Sequence, residues 1–159
     1  MNSENLQNRS LRNIFGKFAT GVSIISFYNK EGFPCGITIN SFASVSLDPP
    51  IVLWCLDNNS DLFHEISIKD KYIFNFLSLD QINLATKLAV KENHDFKSID
   101  HIDNDYGPII KQSLGWISCS KKEVISVGDH LIIIGLVNDF EIFDNNKKPL
   151  IFWSGNYQI

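Results

Sequence analysis

GITINSFASVSLDPP, residues 36–50, is the most informative stretch of this chain. Branched and aromatic residues alternate with polar ones along it, a pattern typical of a β-strand. Asp48-Pro49-Pro50 ends the strand, because proline lacks the backbone N–H that pairs with a neighbouring strand. We therefore predict an extended run over residues 35–46 that stops at the two prolines.

Five polar side chains occupy this otherwise apolar segment: Thr38, Asn40, Ser41, Ser44 and Ser46. Buried strands rarely carry this many hydrogen-bonding groups without partners for them. One interpretation is a strand whose outward face is solvated, which alternation alone would produce. The other is a ligand-binding edge with several donors and acceptors. The end of the stripe at a turn favours the ligand-binding edge.

The hydrophobic periodicity around this segment predicts a mainly β protein. Further strands are expected at residues 22–28, 51–56, 72–77, 114–120 and 131–137, the last two joined by a Gly128-Asp129 hairpin turn. Residues 51–56 are continuously apolar, which predicts a central strand buried on both faces. A turn at residues 144–148 and a last short strand follow.

Two or three helices are expected outside the strands. The first covers residues 11–18, where apolar side chains recur at every third or fourth position. The second begins at Ser60 and runs to about residue 67, and the third opens at a capping box of Ser78 and Gln81. Residues 92–112 are polar and predict a long surface excursion. Because strands do not alternate with helices, we expect an antiparallel barrel with helices packed outside.

The composition argues against several classes of function. The chain has 159 residues, a net charge of −4 and a pI of about 5.5, so it lacks the basic excess that neutralises nucleic-acid phosphates. Lysines occur at most in pairs, which also argues against binding to an anionic membrane. The cysteines and histidines are scattered without metal-ligand spacing. We expect one metal-free domain over residues 1–159, and a cytoplasmic location because no apolar leader is visible.

His130 directly follows the Gly128-Asp129 turn. A single histidine at the start of a strand is commonly an ordinary surface residue. The alternative is an imidazole that positions a ligand and is held by the turn beside it. The pattern alone leaves both interpretations open.

The stretch at residues 36–50 resembles the signature of the flavin reductase family, the small components of two-component flavin-dependent monooxygenases. Further similar blocks follow the family order: FGKFATGVS at 15–23, FNFLS at 74–78, LATKLA at 84–89, GDH at 128–130, IGLV at 134–137 and Pro149-Leu150. The resemblance implies an antiparallel FMN-binding split β-barrel of Greek-key type. It also implies a homodimer with flavin near the subunit interface.

The resemblance further implies which residues bind the cofactors. Those along the flavin ring and ribityl chain are Thr38, Ile39, Asn40, Ser41, Ser44, Val45, Ser46 and Phe76. Those toward the flavin phosphate are Asp57, Asn58, Asn59, Ser60 and Lys87, and free N–H groups at a helix start would favour an anion there. Those at the nicotinamide are Asp129 and His130, with His130 as the catalytic residue, and Tyr157 closes the site.

The implied activity is reduction of FMN or FAD by NADH or NADPH, with reduced flavin supplied to a partner monooxygenase. Hydride transfer between cofactors needs no protein nucleophile, which suits a sequence without a catalytic triad or metal motif. The scarcity of arginine, Arg9 and Arg12 alone, favours NADH over NADPH. Two alternatives stay open: an electron carrier that retains its flavin, and a non-catalytic barrel that binds flavin or another ligand.

Overall fold

The computed structural model describes residues 3–143 and 146–159. Its helices are α1 (Ser3–Phe15), α2 (Phe63–Ile68) and α3 (Ile82–Leu88), and a 3-10 turn at Leu79–Gln81 precedes α3. Its strands are β1 (Thr20–Gly21), β2 (Ser23–Tyr28), β3 (Pro34–Ile39), β4 (Ala43–Leu47), β5 (Pro50–Asp57), β6 (Lys71–Phe76), β7 (His101–Ile102), β8 (Ile109–Ile110), β9 (Gly115–Val127), β10 (His130–Ile142), β11 (Ile151–Trp153) and β12 (Asn156–Gln158). None of the described helices has the length and apolar character needed to cross a membrane.

Seven strands form one antiparallel sheet in the order β3-β2-β6-β9-β10-β5-β4. The sheet curls until its two ends approach each other at Ser41, which follows β3. The Ser41 hydroxyl accepts a hydrogen bond from the Cys55 amide in β5 at 3.0 Å and donates to the Cys55 carbonyl at 3.3 Å. The predicted mainly β, antiparallel architecture with peripheral helices is confirmed, in the form of a curled sheet that is not closed by a strand ladder.

The inner face of the curled sheet packs an aromatic core. Trp54 and Phe74 are fully buried there, and the Phe42 and Phe74 rings meet edge-on with centroids 5.1 Å apart. A second apolar cluster, which includes Ile24 and Leu88, joins β2 to α3. Each large apolar side chain buried in this way contributes about 1.5–3 kcal/mol to the free energy of unfolding. The second cluster therefore fixes α3 against the sheet.

The long hairpin of β9 and β10 confirms the predicted Gly128-Asp129 turn. Gly128 has a φ of +60°, which glycine adopts without the steric cost that a side chain brings. The first residue of β10, His130, pairs with Val127 in β9 and with Asp57 at the end of β5. The hairpin tip and the end of β5 therefore lie side by side.

The strand predictions need three corrections. The run at residues 35–46 is divided into β3 and β4 by residues 40–42. In β5, Val52, Trp54 and Leu56 are buried while the residues between them are half-buried, so only one face lies in the core. The expected turn at residues 144–148 lies partly outside the described residues, and β11 and β12 follow it in place of one strand.

The described residues form three α-helices where two or three are expected, but the boundaries differ. α1 covers Ser3–Phe15 instead of residues 11–18. α2 begins at Phe63 instead of Ser60, because residues 57–60 form a hydrogen-bonded turn in which the Ser60 amide donates to the Asp57 carbonyl. The capping box of Ser78 and Gln81 is present, and it opens the 3-10 turn that leads into α3.

The prediction of a surface excursion at residues 92–112 is wrong. Phe96, Ile109 and Ile110 are buried, and β7 pairs with β8 within this segment. Asn75, fully buried in β6, accepts a hydrogen bond from the Ile110 amide at 2.7 Å and donates to the Ser26 hydroxyl at 2.8 Å. A buried amide must have its hydrogen bonds satisfied, and the segment supplies a partner.

Candidate functional site

A cavity of about 200 Å³ lies between the end of β3, the residue that follows α3, and β12. Four residues of the predicted site line it: Thr38, Ile39, Asn40 and Tyr157. The other lining residues are Val22, Ala89 and Phe152. We call this space the central cavity. It combines hydroxyl and amide groups with apolar walls, which suits a flat ligand that has a polar edge.

The polar groups of the central cavity are held by contacts with distant elements. The Thr38 hydroxyl donates to the Ala85 carbonyl of α3 at 2.8 Å. The side-chain amide of the exposed Asn40 donates to the Thr20 hydroxyl at 3.3 Å. Tyr157 packs edge-on against Phe152 with ring centroids 5.4 Å apart, and burial raises the pKa of the Tyr157 phenol. The cavity walls are therefore ordered by the fold itself.

Ser41 lies next to the central cavity but its hydroxyl is occupied. It both accepts from and donates to the main chain of Cys55, as described above. The hydrogen bonds join the two ends of the sheet, which gives this side chain a structural role. Its predicted contact with flavin stays a prediction.

A second group of predicted residues meets at the end of β5 and the hairpin tip. The Asn58 amide donates to the Asp129 carbonyl at 2.9 Å, and His130 Nδ1 lies 2.7 Å from Asp129 Oδ1. This hydrogen bond with His130 is the main cause that lowers the pKa of the Asp129 carboxyl. The His130 side chain is 41% exposed, so a ligand can reach the imidazole while Asp129 orients it.

The expected free amides at residues 57–60 are not free. The Asn59 amide donates to Asp57 Oδ1 at 2.8 Å, and the Phe63 amide at the start of α2 donates to the Ser60 carbonyl at 3.1 Å. The reason given for a phosphate at this turn therefore fails, because a bound anion would have to compete with these internal acceptors. A phosphate here would depend on cationic side chains instead.

One lysine reaches this turn, and the predicted Lys87 is paired elsewhere. Lys87 Nζ donates to the Asp95 carbonyl at 3.0 Å and lies 3.6 Å from the Asp95 carboxylate. Lys91, which sequence reasoning missed, donates to the Asn59 carbonyl at 2.9 Å. No local sequence signal pointed to Lys91, because it lies in the turn after α3 and meets Asn59 only through the fold.

The remaining predicted residues lie elsewhere. Ser44, Ser46 and Phe76 line a separate apolar groove of about 620 Å³, which we call the β4–β10 groove. Val45 is 56% exposed and does not line it. The structure thus divides the polar stripe: residues 38–40 face the central cavity, and Ser44 and Ser46 face the groove.

The described residues contain no cluster of side chains that could hold a metal ion. Cys35, Cys55 and Cys119 are free thiols, and burial raises the pKa of Cys35 and of Cys119 to about 12. A thiol with such a pKa is a poor nucleophile near neutral pH. The cysteines are therefore packing residues.

Comparison with known proteins identifies the family of this fold. The model of the flavin reductase like domain matches residues 15–159. A probable flavin reductase of Rhizobium meliloti is 38% identical over 89% of this chain and 46% of its own length. FMN reductase (NADH) SmoA of Agrobacterium fabrum is 37% identical over 94% of this chain and 84% of its own length.

A solved structure gives the same result. The nitrilotriacetate monooxygenase component B homologue from Mycobacterium thermoresistibile is 34% identical, with a TM-score of 0.92 over 98% of this chain and 88% of the other. The chain spans about half the length of the Rhizobium protein but most of the other two. Sequence and fold agree over nearly the whole chain, and it belongs to the flavin reductase-like family.

Proposed function

We propose that this protein reduces flavin with a reduced nicotinamide nucleotide and supplies the reduced flavin to a partner monooxygenase. The observation that carries the proposal is the family match over residues 15–159, which includes every residue around the central cavity. The named relatives support the same activity: SmoA is an FMN reductase (NADH), and the Mycobacterium protein is a homologue of a monooxygenase component.

The residues present fit a flavin. The central cavity offers an exposed amide at Asn40, a hydroxyl at Thr38, and apolar contacts from Val22 and Phe152. A flavin ring needs this combination, because its faces are apolar and its edge carries hydrogen-bonding groups. When bound, flavin supplies the hydride-accepting chemistry.

The tasks left to the chain are binding and orientation. Asn40 would hydrogen-bond to the polar edge of the ring, and Tyr157 would cover one side. His130, oriented by Asp129, would place the nicotinamide. Correct placement alone accelerates a reaction between two bound partners, because the loss of translational freedom has already occurred on binding.

We infer NADH as the preferred reductant and FMN or FAD as the acceptor. One domain over residues 1–159 and a cytoplasmic location stay predictions.

The decisive experiment measures NADH oxidation at 340 nm with and without added flavin. A flavin reductase oxidises NADH when FMN or FAD is added and is colourless after dialysis. A protein that stays yellow after dialysis and does not turn over added flavin is a flavin-retaining carrier. Absence of NADH oxidation with either flavin would leave a non-catalytic barrel and contradict the proposal.

Asn40→Ala is expected to weaken flavin binding by roughly two- to tenfold, the equivalent of one hydrogen bond. Ser41→Ala is the matched comparison, since its hydroxyl bonds to Cys55. We expect Ser41→Ala to lower the free energy of unfolding by about 1–2 kcal/mol through loss of these bonds. Fluorescence titration with flavin and urea denaturation separate the two effects. Unchanged flavin affinity in Asn40→Ala would remove Asn40 from the site.

We propose that the protein is a homodimer formed through the β4–β10 groove. The groove carries large exposed apolar side chains, among them Phe140 at 67% exposure and Ile142 at 82%. Contiguous apolar surface of this kind marks protein contact sites.

Light scattering is expected to give twice the mass of one chain. Phe140→Asp should shift the mass toward one chain, while Phe33→Asp, an exposed residue outside the groove, should not. A wild-type mass near 18.1 kDa would refute the dimer.

A further inference from the structure

A second cavity, of about 690 Å³, adjoins the central cavity. The two share Asn40 and Phe152 as lining residues, so they lie side by side along these two side chains. We call the second space the α1 cavity, because the last turn of α1 and the residues after it form one side. The turn between β11 and β12 forms the other side. A ligand in the central cavity can therefore extend into the α1 cavity.

The α1 cavity is locally basic in a chain of net charge −4. Arg12 and Lys17 line it, and its lining includes no carboxylate. Among the side chains that the structure describes, those of residues 7–143 and 146–159, no carboxylate forms an ion pair with either of them. Two cations without acidic partners at one end of a groove attract an anionic ligand.

The walls of the α1 cavity are held in place by hydrogen bonds between distant parts of the chain. The Ser154 amide donates to the Gly16 carbonyl at 2.7 Å, and the Trp153 indole donates to the Lys17 carbonyl at 3.2 Å. Lys17 Nζ donates to the Ser154 hydroxyl at 3.2 Å and lies 5.2 Å from the centre of the Trp153 ring. A site ordered before binding loses less conformational entropy when the ligand arrives.

We propose that the α1 cavity binds the phosphate of the adenosine half of a dinucleotide, with Arg12 and Lys17 as the residues that recognise it. The inference rests on the proposed function. FAD and NADH both carry this second phosphate, whereas FMN and reduced nicotinamide mononucleotide carry only the phosphate of their own half, which stays with the flavin or the nicotinamide. Arg12 and Lys17 would thus favour dinucleotides over mononucleotides, because charge-assisted hydrogen bonds to phosphate are stronger than neutral ones.

The test compares each dinucleotide with its mononucleotide. The variant is Arg12→Gln with Lys17→Gln, and Arg9→Gln is the matched control, since Arg9 is exposed on the same helix and does not line the cavity. Titration gives the Kd for FAD and for FMN, and steady-state kinetics give kcat/KM for NADH and for reduced nicotinamide mononucleotide. Arg12→Gln alone is measured as well, because Lys17 also contacts Ser154.

In the double variant we expect the affinity for FAD, or the kcat/KM for NADH, to fall about tenfold. The same quantity for the corresponding mononucleotide should stay within about twofold of the wild-type value. A loss for FAD alone assigns the cavity to flavin, and a loss for NADH alone assigns it to the nicotinamide dinucleotide. The wild-type affinity should also fall with added salt more steeply than that of the variant. The inference would be overturned if the double variant kept the wild-type preference for dinucleotide over mononucleotide in both pairs. It would also be overturned if a dinucleotide and its mononucleotide lost affinity or kcat/KM equally. If the wild-type protein binds flavin but the double variant loses no more affinity for a dinucleotide than for its mononucleotide, this inference alone is refuted. If the wild-type protein binds neither flavin nor NADH, the proposed function is refuted too.

Discussion

His130→Ala is expected to lower kcat/KM for NADH by roughly ten- to a hundredfold, the equivalent of about 1.4–2.7 kcal/mol of lost transition-state stabilisation. Flavin affinity should stay nearly unchanged. The imidazole is half-exposed at the start of β10, and its Nδ1 lies 2.7 Å from Asp129 Oδ1. A side chain fixed in this way can orient a nicotinamide at low entropic cost. It is not expected to transfer a proton, because hydride transfer needs no general base there.

Two further variants sharpen the His130 experiment. Asp129→Asn replaces the charged hydrogen-bond acceptor of the His130 imidazole with a neutral one, so the imidazole is oriented less firmly. A smaller loss in kcat/KM for NADH than in His130→Ala is therefore expected. His64→Ala is the matched control, since this exposed histidine lies on α2 outside the predicted site. Normal NADH kinetics in His130→Ala would make His130 an ordinary surface residue. A variant that no longer binds flavin would place His130 at the flavin instead of the nicotinamide.

Gly135→Ala is expected to lower the free energy of unfolding by about 1–3 kcal/mol, as overpacking of a dense core does. A Cβ at this position in β10 would meet the Tyr72 hydroxyl and would lie 3.2 Å from the Cys119 Cβ. Tyr72 is 3% exposed and its ring packs against Trp54 and Phe74, so it has little room to move. Urea denaturation measures the loss.

Tyr72→Phe provides the rescue for this experiment. The Tyr72 hydroxyl makes no well-formed hydrogen bond among the described residues, with the Trp54 indole as its one weak polar neighbour, so its removal should change the stability little. In the double variant with Gly135→Ala, more than half of the loss should be recovered, because the atom that clashes is gone. Gly21→Ala is the control, since nothing lies within 4 Å of a Cβ there. Equal stability of the two alanine variants, or no rescue by Tyr72→Phe, would contradict the close packing of β6 and β10.

The local elements of the fold were readable from the sequence. The alternation at residues 36–50, the Gly128-Asp129 turn and the capping box of Ser78 and Gln81 all report preferences of a few neighbouring residues. The burial of residues 92–112 was not readable. Its buried side chains, such as Phe96 and Ile110, are widely spaced among polar ones, and the partner that stabilises Ile110 is Asn75, 35 residues away.

The candidate site also combines features that are visible in the sequence with features that depend on the folded chain. The residue pattern is enough to show that Thr38, Asn40 and Ser41 offer hydrogen-bonding groups on one extended segment. Their partners depend on the folded chain: the Ser41 hydroxyl bonds to the main chain of Cys55, whereas the amide of Asn40 is exposed and makes one long hydrogen bond, at 3.3 Å, to the Thr20 hydroxyl.

The α1 cavity depends on the tertiary structure entirely. Lys17 and Ser154 are 137 positions apart, and their hydrogen bond joins the end of α1 to the β11–β12 turn. Periodicity and turn residues encode the local backbone, because the forces behind them act between near neighbours in the chain. The arrangement of Arg12, Lys17 and Asn40 around one groove arises from long-range packing, which no local pattern records.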